Sequence, residues 1–367
     1  MRVLLCGGGT AGHVMPAIAM AEIIDKSFPG SVIAFGGRRN GGENLSYEKS
    51  GHDLYTVDIV GIKRSLSINN IKSVFKVIKS GRDARNIITE FNPDLIIGTG
   101  GYVCYPFIRQ GQRLGIKTML HESNVAPGLV TRLLGRKCEK VMLNLEGTRK
   151  YLKNIENTVV VGNPTRQDFG SMSKPVARRR LGIHDDETLI VSFGGSLGAS
   201  LMNRVIGELI TQYTTQSSKI KHIHATGRAN YEEMKKQFPS LFSGDKRIKI
   251  VPYIEDMPTH LIAADLAITR SGAITVSELC RSGTPSILIP SPNVTANHQY
   301  ANADYMRSLG AAHLIEEKEL SAKRLSEEIN AILTSEQTMK KMARRARSAC
   351  TRDTEKAITD LLAATAK

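Results

Sequence analysis

The 367-residue chain predicts an α/β protein made of two Rossmann-like domains, on three observations. Short apolar runs alternate with amphipathic stretches, as the βαβ units of a parallel sheet require. This series stops near residue 162 and restarts near 189. Each series opens with a strand followed by a glycine-rich turn, where doubly wound sheets bind their ligands.

In the first half, Val3–Cys6, Val32–Phe35, Leu95–Ile97, Thr118–Leu120, Lys140–Leu143 and Val159–Val161 read as buried strands. The second holds Leu189–Phe193, His222–Ala225, Ile248–Val251, Leu266–Thr269 and Ser286–Ile289. Between the two series, Gly162 to Arg180 carries two prolines and the basic run Arg178-Arg179-Arg180, and reads as a linker. The default site is a deep cleft between the two facing sheets.

Composition narrows the function. Hydrophobic residues make up 41 %, enough for real cores. No apolar run approaches the ~20 residues of a membrane span. Val3–Cys6 is too short for a secretory leader, so a cytosolic chain is expected. Its five cysteines, Cys6, Cys104, Cys138, Cys280 and Cys350, show no CxxC spacing and read as reduced thiols. The net charge of +15 favours an anionic partner. Aromatics at 5 % and the absence of Trp count against single-stranded nucleic acid, and no nucleic-acid motif is present.

Three glycine loops carry the chemistry. Gly7-Gly8-Gly9-Thr10-Ala11-Gly12-His13 lies between a strand and a helix, where glycines let backbone amides approach a phosphate. Its GxGxxG also admits an NADP-dependent oxidoreductase, because the second strand ends in Arg38-Arg39 rather than an acid. Gly98-Thr99-Gly100-Gly101-Tyr102 and Gly194–Gly198 are the other two loops, and three such turns suit a diphosphate donor and its acceptor better than one dinucleotide. His13, at a helix start, is expected neutral and able to act as a general base. Ser271 or Thr275 can cap a second helix start, with Glu278 a turn inside it suited to a ribose diol. Asn297-His298-Gln299-Tyr300 supplies groups for sugar hydroxyls. With no D-x-D sequence, helix ends and amides rather than a metal are left to carry a diphosphate; no metal site and no cofactor are expected.

Residues 62–85 repeat Ile71, Phe75 and Ile78 at helical spacing among Lys72, Lys76, Lys79 and further basic residues. A basic amphipathic helix of this kind reads as a contact for an anionic membrane surface. The C-terminal Lys340-Lys341 and Arg344-Arg345-x-Arg347 read as a solvated helix face.

Taken in order, Gly8–Pro16, Gly100–Val103, His121-Glu122-Ser123-Asn124, Val161–Arg166, Gly194–Ala199 and Ser271–Glu278 resemble the MurG family of peptidoglycan N-acetylglucosaminyltransferases across nearly the whole chain. The resemblance implies a GT-B fold, with domains at residues 1–164 and 165–345 and a C-terminal helix in 346–367 crossing back to the first. It implies inverting, metal-independent transfer of GlcNAc from UDP-GlcNAc to the MurNAc C4 hydroxyl of an undecaprenyl-linked acceptor (lipid I), at the cytoplasmic face of the membrane. Other cell-wall synthesis proteins are implied as partners, and nucleic acid is not. By the same resemblance His13 is the base and Glu122 its acceptor-side carboxylate. Thr10, Ala11 and Gly12 meet the donor, Asn124 its sugar, and Arg166 and Ser196 its UDP. Ile254 holds the uracil. Ala273, Ile274, Thr275, Val276, Ser277 and Glu278 wrap phosphate and ribose, and Gln299 binds the GlcNAc hydroxyls. Ala11 stands where the family often has glycine, and His298 where it often has a second glutamine.

Overall fold

Uninterrupted runs such as Val3-Leu4-Leu5-Cys6 leave no polar face, so their strands must be covered on both sides. The computed structural model shows this arrangement twice. It describes residues 1–42, 44–59, 69–152, 155–164, 169, 172–195, 198–212, 219–294, 297–351 and 353–365, with only the backbone of Ala11 and of 69–77. The chain divides into two units, Met1–Thr165 with Thr351–Lys367, and Arg166–Cys350. Residues 346–350 thus group with the second unit, whereas the sequence reading has them in the returning segment.

The first unit strings β1 (Arg2–Cys6), α1 (Ala11–Ser27), β2 (Val32–Arg38), α2 (Asn44–Glu48), β3 (Asp53–Val57), α3 (Asn69–Phe91), β4 (Leu95–Gly98), α4 (Cys104–Arg113), β5 (Lys117–Glu122), α5 (Leu129–Leu134), β6 (Lys140–Leu143) and β7 (Thr158–Val160). The strands form one parallel sheet in the order β3-β2-β1-β4-β5-β6-β7. Alternate residues of β1 feed opposite faces. Val3 and Leu5 pack with Met20 and Ile24 of α1, while Leu4 and Cys6 pack with Ile88 of α3 and Phe107 and Ile108 of α4.

The second unit runs α6 (Lys174–Leu181), β8 (Thr188–Phe193), α7 (Ser200–Gln212), β9 (Ile220–Ala225), α8 (Tyr231–Gln237), β10 (Ile248–Val251), α9 (Met257–Ala263), β11 (Leu266–Thr269), α10 (Ala273–Ser282), β12 (Ser286–Leu288), α11 (His298–Ser308), β13 (Ala312–Leu314), α12 (Ala322–Leu333) and α13 (Glu336–Ser348). Its parallel sheet is ordered β10-β9-β8-β11-β12-β13. The chain then returns to the first unit as α14 (Thr354–Thr365), whose Ile358 and Leu362 are buried against the α1 side of that sheet.

Three features depart from the sequence reading. The edge strands β3 and β13 are additional. The expected linker contains α6, with proline in its first turn and Gly182 closing it in the left-handed conformation. Its basic run is not all exposed. Arg178 is buried, pairs with Asp265 at 3.0 Å and donates to the carbonyls of Ala263, His184 and Glu187, so one guanidinium ties the unit's entrance to β8 and β11.

The face of the second sheet that carries Ile190 and Ile268 also encloses three polar side chains. Ser192 Oγ lies 2.8 Å from both His222 Nε2 and His224 Nδ1. His224 Nδ1 also faces the Ser192 carbonyl at 3.2 Å, which can only accept, so it carries the proton. The Ser192 hydroxyl is then free to donate to His222.

Candidate active site

The first glycine loop leaves β1 and enters α1. Thr10 is its N-cap in extended conformation, with no side-chain cap bond to the helix. Thr10 Oγ1 instead lies 3.1 Å from His13 Nδ1, and the Gly8 carbonyl lies 3.1 Å from the same nitrogen. Because that carbonyl accepts only, the neutral ring carries its proton on Nδ1 and presents Nε2 as an unprotonated acceptor. Burial lowers the His13 pKa, against the opposing pull of the Gly8 bond. Desolvation is the leading cause of this shift.

The second loop is shaped around that ring. A Cβ on Gly100 would stand 2.4 Å from His13 Cδ2, and one on Gly101 would stand 2.2 Å from the Gly8 carbonyl oxygen. Both glycines take left-handed φ, +119° and +81°, which a side chain would resist even with space. Thr99 donates to the His13 carbonyl at 2.7 Å, joining the end of β4 to the start of α1. Sequence reading named Thr99 only as a member of the second loop and missed this bond, and it did not pair Arg38 with Tyr102. Arg38 Nη1 donates to the Tyr102 hydroxyl at 3.2 Å. Arg38 Nε is buried with no hydrogen-bond partner among the described residues, leaving a cation with spare donor capacity beside the first loop.

Glu122 ends β5 and is buried. Its carboxylate accepts from the Asn124 amide at 3.1 Å, the Gly128 amide at 2.8 Å and the Thr131 hydroxyl at 2.8 Å, and the Asn124 side chain also bonds to it. Burial raises its pKa and these bonds oppose the rise. With both oxygens occupied, Glu122 organises the loop from Ser123 to Thr131. The same loop holds Asn124, whose carbonyl accepts from Thr148 at 3.2 Å. His121 donates from Nε2 to the Gly162 carbonyl at 3.0 Å, and burial lowers its pKa to about 4.

In the second unit, α10 begins after Gly272 with no side-chain cap and no acidic residue in its first turn. The amides of Ala273, Ile274 and Thr275 therefore have no intrahelical acceptor, and these three residues are half-exposed. The helix then turns inward. Val276, Ser277 and Glu278 are buried, with Ser277 Oγ bonding back to the Ala273 carbonyl at 2.8 Å. Ser271 fixes the approach of α11 by donating to the Gln299 carbonyl at 2.8 Å. Gln299 Oε1 accepts from the Ser291 amide at 2.9 Å, so its side-chain NH2 is the group left to donate. Ile254 is buried beyond β10.

Within the first unit the structure therefore brings Thr10, Gly12 and His13 together, with Glu122 at the end of β5 and Asn124 on the loop that follows. Within the second it gathers residues 273–278 and Gln299. Arg166, Ser196 and the Ala11 side chain lie outside the described residues. So do the side chains of Ile71, Lys72, Phe75 and Lys76 on α3, while Ile78 is 55 % exposed and Lys79 is exposed. Among the described residues no cluster of His, Cys, Asp or Glu is arranged to hold a metal ion, and no helix is long and apolar enough to cross a membrane.

Residues 3–143 match the glycosyltransferase family 28 N-terminal domain and residues 189–359 the family 28 C-terminal domain. A protein of Thermoanaerobacter sp. named UDP-N-acetylglucosamine--N-acetylmuramyl-(pentapeptide) pyrophosphoryl-undecaprenol N-acetylglucosamine transferase is 39 % identical, over 93 % of each chain. One of the same name from Carboxydothermus hydrogenoformans is 37 % identical, over 100 % of this chain and 98 % of the relative. Among solved structures, Acinetobacter baumannii MurG superposes with a TM-score of 0.79 at 24 % identity, over 99 % of both chains. Anabaena HepE in complex with UDP gives 0.63 at 16 %, over 99 % of this chain and 98 % of that one. The two solved structures share the paired Rossmann-like fold, and the identity over nearly the full length settles membership: the chain belongs to glycosyltransferase family 28, and within it to the MurG family.

Proposed function

We propose that this enzyme transfers GlcNAc from UDP-GlcNAc, with inversion, to the C4 hydroxyl of MurNAc on an undecaprenyl-pyrophosphoryl-MurNAc-pentapeptide acceptor. The observation that carries the reading is the 39 % identity over 93 % of the chain to a transferase named for that reaction. Family membership replaces the nicotinamide reading of the first glycine loop.

The second unit grips the donor. The free amides opening α10 take the diphosphate charge that grows as UDP departs, and Glu278 takes the ribose hydroxyls. Ile254 meets the uracil through its backbone, the Gln299 NH2 donates to a sugar hydroxyl, and Arg166 and Ser196 add contacts to UDP. In the first unit His13 Nε2 removes the acceptor proton. Thr10, Ala11 and Gly12 line the same loop, and Asn124 reaches the donor sugar. Glu122, with its oxygens committed, positions Asn124 rather than exchanging a proton. Incubation with UDP-GlcNAc and a polyprenyl-pyrophosphoryl-MurNAc-pentapeptide is expected to yield the β-linked disaccharide lipid and UDP, at a rate EDTA does not lower. Absence of acceptor-dependent UDP release would overturn the assignment, and inhibition by EDTA would overturn the metal-free grip.

A lipid-linked acceptor requires contact with the membrane, and α3 supplies it in this reading, at the cytoplasmic face. Ile78 lies six residues before buried Ala84, about 120° around the helix from the core-facing stripe, and is left exposed beside Lys79. Each basic residue near anionic lipid contributes ~1 kcal/mol. Lys79→Glu is therefore expected to weaken binding to phosphatidylglycerol vesicles on the order of tenfold at low salt, with the difference shrinking in high salt. Binding insensitive to salt and to lipid charge would refute this contact.

A further inference from the structure

The second unit contains a cavity of about 540 Å³ bounded by the end of α11, strand β13, α12 and α13. None of the residues assigned above to donor or acceptor lines it. Its floor is apolar, with Ala312 and Met342 buried and Leu314 half-buried. Its walls carry Arg307, Arg324, Lys341 and Arg345, against Glu328 as the carboxylate among the lining residues.

Two of these cations are matched locally. Arg307 pairs with Asp304 at 2.6 Å and Arg324 with Glu328 at 2.5 Å, and His313 also bonds to Glu328. Lys341 and Arg345 have no carboxylate partner among the described residues. The basic run on α13 is exposed throughout, as the sequence presents it, but its members differ in their partners. Lys340 pairs with Glu336 at 2.6 Å and Arg347 donates to the Ser282 carbonyl at 3.0 Å. Lys341 and Arg345, one turn apart and therefore on one side of the helix, turn to the cavity. Arg345, though exposed, rests against the end of α11. Its guanidinium packs on Gly310, where a Cβ would stand 2.1 Å from Nη1. Gly310 closes α11 at φ +64°, and only a residue without a side chain leaves that place for the guanidinium.

Converging like charges in a concave surface repel one another and focus a positive potential into the recess; a bound anion relieves both. The volume falls within the ~300–1,000 Å³ of small-molecule sites, and a guanidinium presents paired donors that match phosphate oxygens. We propose that this cavity is a second ligand site, which binds a small soluble phosphorylated compound. Lys341 and Arg345 hold its phosphate, and the Ala312–Met342 floor receives its body.

Inorganic pyrophosphate serves as the probe, at ionic strength held constant with sodium chloride and with UDP at saturation to occupy the donor site. The wild-type enzyme is expected to melt at higher temperature as pyrophosphate rises. The double variant Lys341→Gln/Arg345→Gln is expected to need at least tenfold more pyrophosphate for the same shift, with its UDP response and transfer rate unchanged. Lys340→Gln/Arg344→Gln removes equal charge from the same helix and is expected to respond like wild type. Equal responses in all three proteins, or equal losses in both double variants, would overturn the proposal. The comparison between variants stands even if UDP itself produces no shift, so failure of the donor assignment is seen separately. Phosphatidylglycerol vesicles should retain the two double variants equally. Selective loss of vesicle binding in Lys341→Gln/Arg345→Gln, with its pyrophosphate response intact, would also overturn the proposal.

Discussion

Replacing His13 with alanine is expected to lower kcat about a thousandfold, within the 10²–10⁴ typical of a positioned general base, while UDP affinity changes little. The expectation rests on the tautomer. The Gly8 carbonyl holds the proton on Nδ1, so Nε2 is available to take a proton from the acceptor hydroxyl. A loss of that size corresponds to ~4 kcal/mol of transition-state stabilisation. His13→Gln should behave similarly, because it restores volume without basicity. Burial holds the His13 pKa below its ordinary value, so the imidazole stays neutral to lower pH than a free histidine. The acid limb of the kcat profile should accordingly lie below about pH 6.5, with rate lost as pH falls and the ring protonates. Steady-state kinetics beside calorimetric titration of UDP separates the outcomes. Near-normal turnover with weakened UDP binding would remove His13 from the proposed role.

Acidification from pH 7 to pH 4 is expected to destabilise the second unit by roughly 6 kcal/mol through His222 and His224 alone, comparable with the ~5–15 kcal/mol stability of a whole domain. Burial lowers the His222 pKa to about 3, with His224 adding to the effect, and lowers the His224 pKa to about 4. The unfolded chain, with histidines near pKa 6.5, binds protons that the folded unit refuses. Stability is therefore intact above about pH 6.5 and declines as pH falls towards the folded values. The geometry accounts for the refusal. His222 Nδ1 and His224 Nε2 are buried without hydrogen-bond partners among the described residues, so either ring, once doubly protonated, would hold one N–H with no acceptor in an apolar layer. His121 adds to the effect in the first unit. Urea unfolding at the two pH values should show His224→Asn losing about half of the pH dependence attributed to this pair. An unchanged dependence would show that other groups govern it.

The sheet centres were legible in the sequence because strands buried on both faces must be continuously apolar, as in Leu189–Phe193 and Leu266–Thr269. The strands β3 and β13 escaped notice because an edge strand is half-covered and needs no such run, and Asp53-Leu-Tyr-Thr-Val and Ala312-His-Leu both mix polar with apolar residues. Arg178 was read only as part of a basic linker run for a related reason. Charge reads as exposure until a partner such as Asp265, 87 positions away in sequence, is brought beside it. The glycine loops and His13 could be found from local pattern alone. The dependence of His13 on Gly100 and Gly101 could not, because it joins the ends of two strands that are distant in the chain. Likewise Glu122 announces a carboxylate in sequence, and only the fold reveals that donors from three neighbouring residues already occupy it.

The two units also differ in when they can be completed. The second is one continuous stretch, whereas the core of the first includes Ile358 and Leu362 from the last dozen residues, packed with Val161, Met20 and Ile24. A ribosome releases the chain from its N-terminus at ~5–20 residues per second. The second unit thus has all of its residues before α14 is made, while the unit that is made earlier waits for α14 before its hydrophobic layer can close.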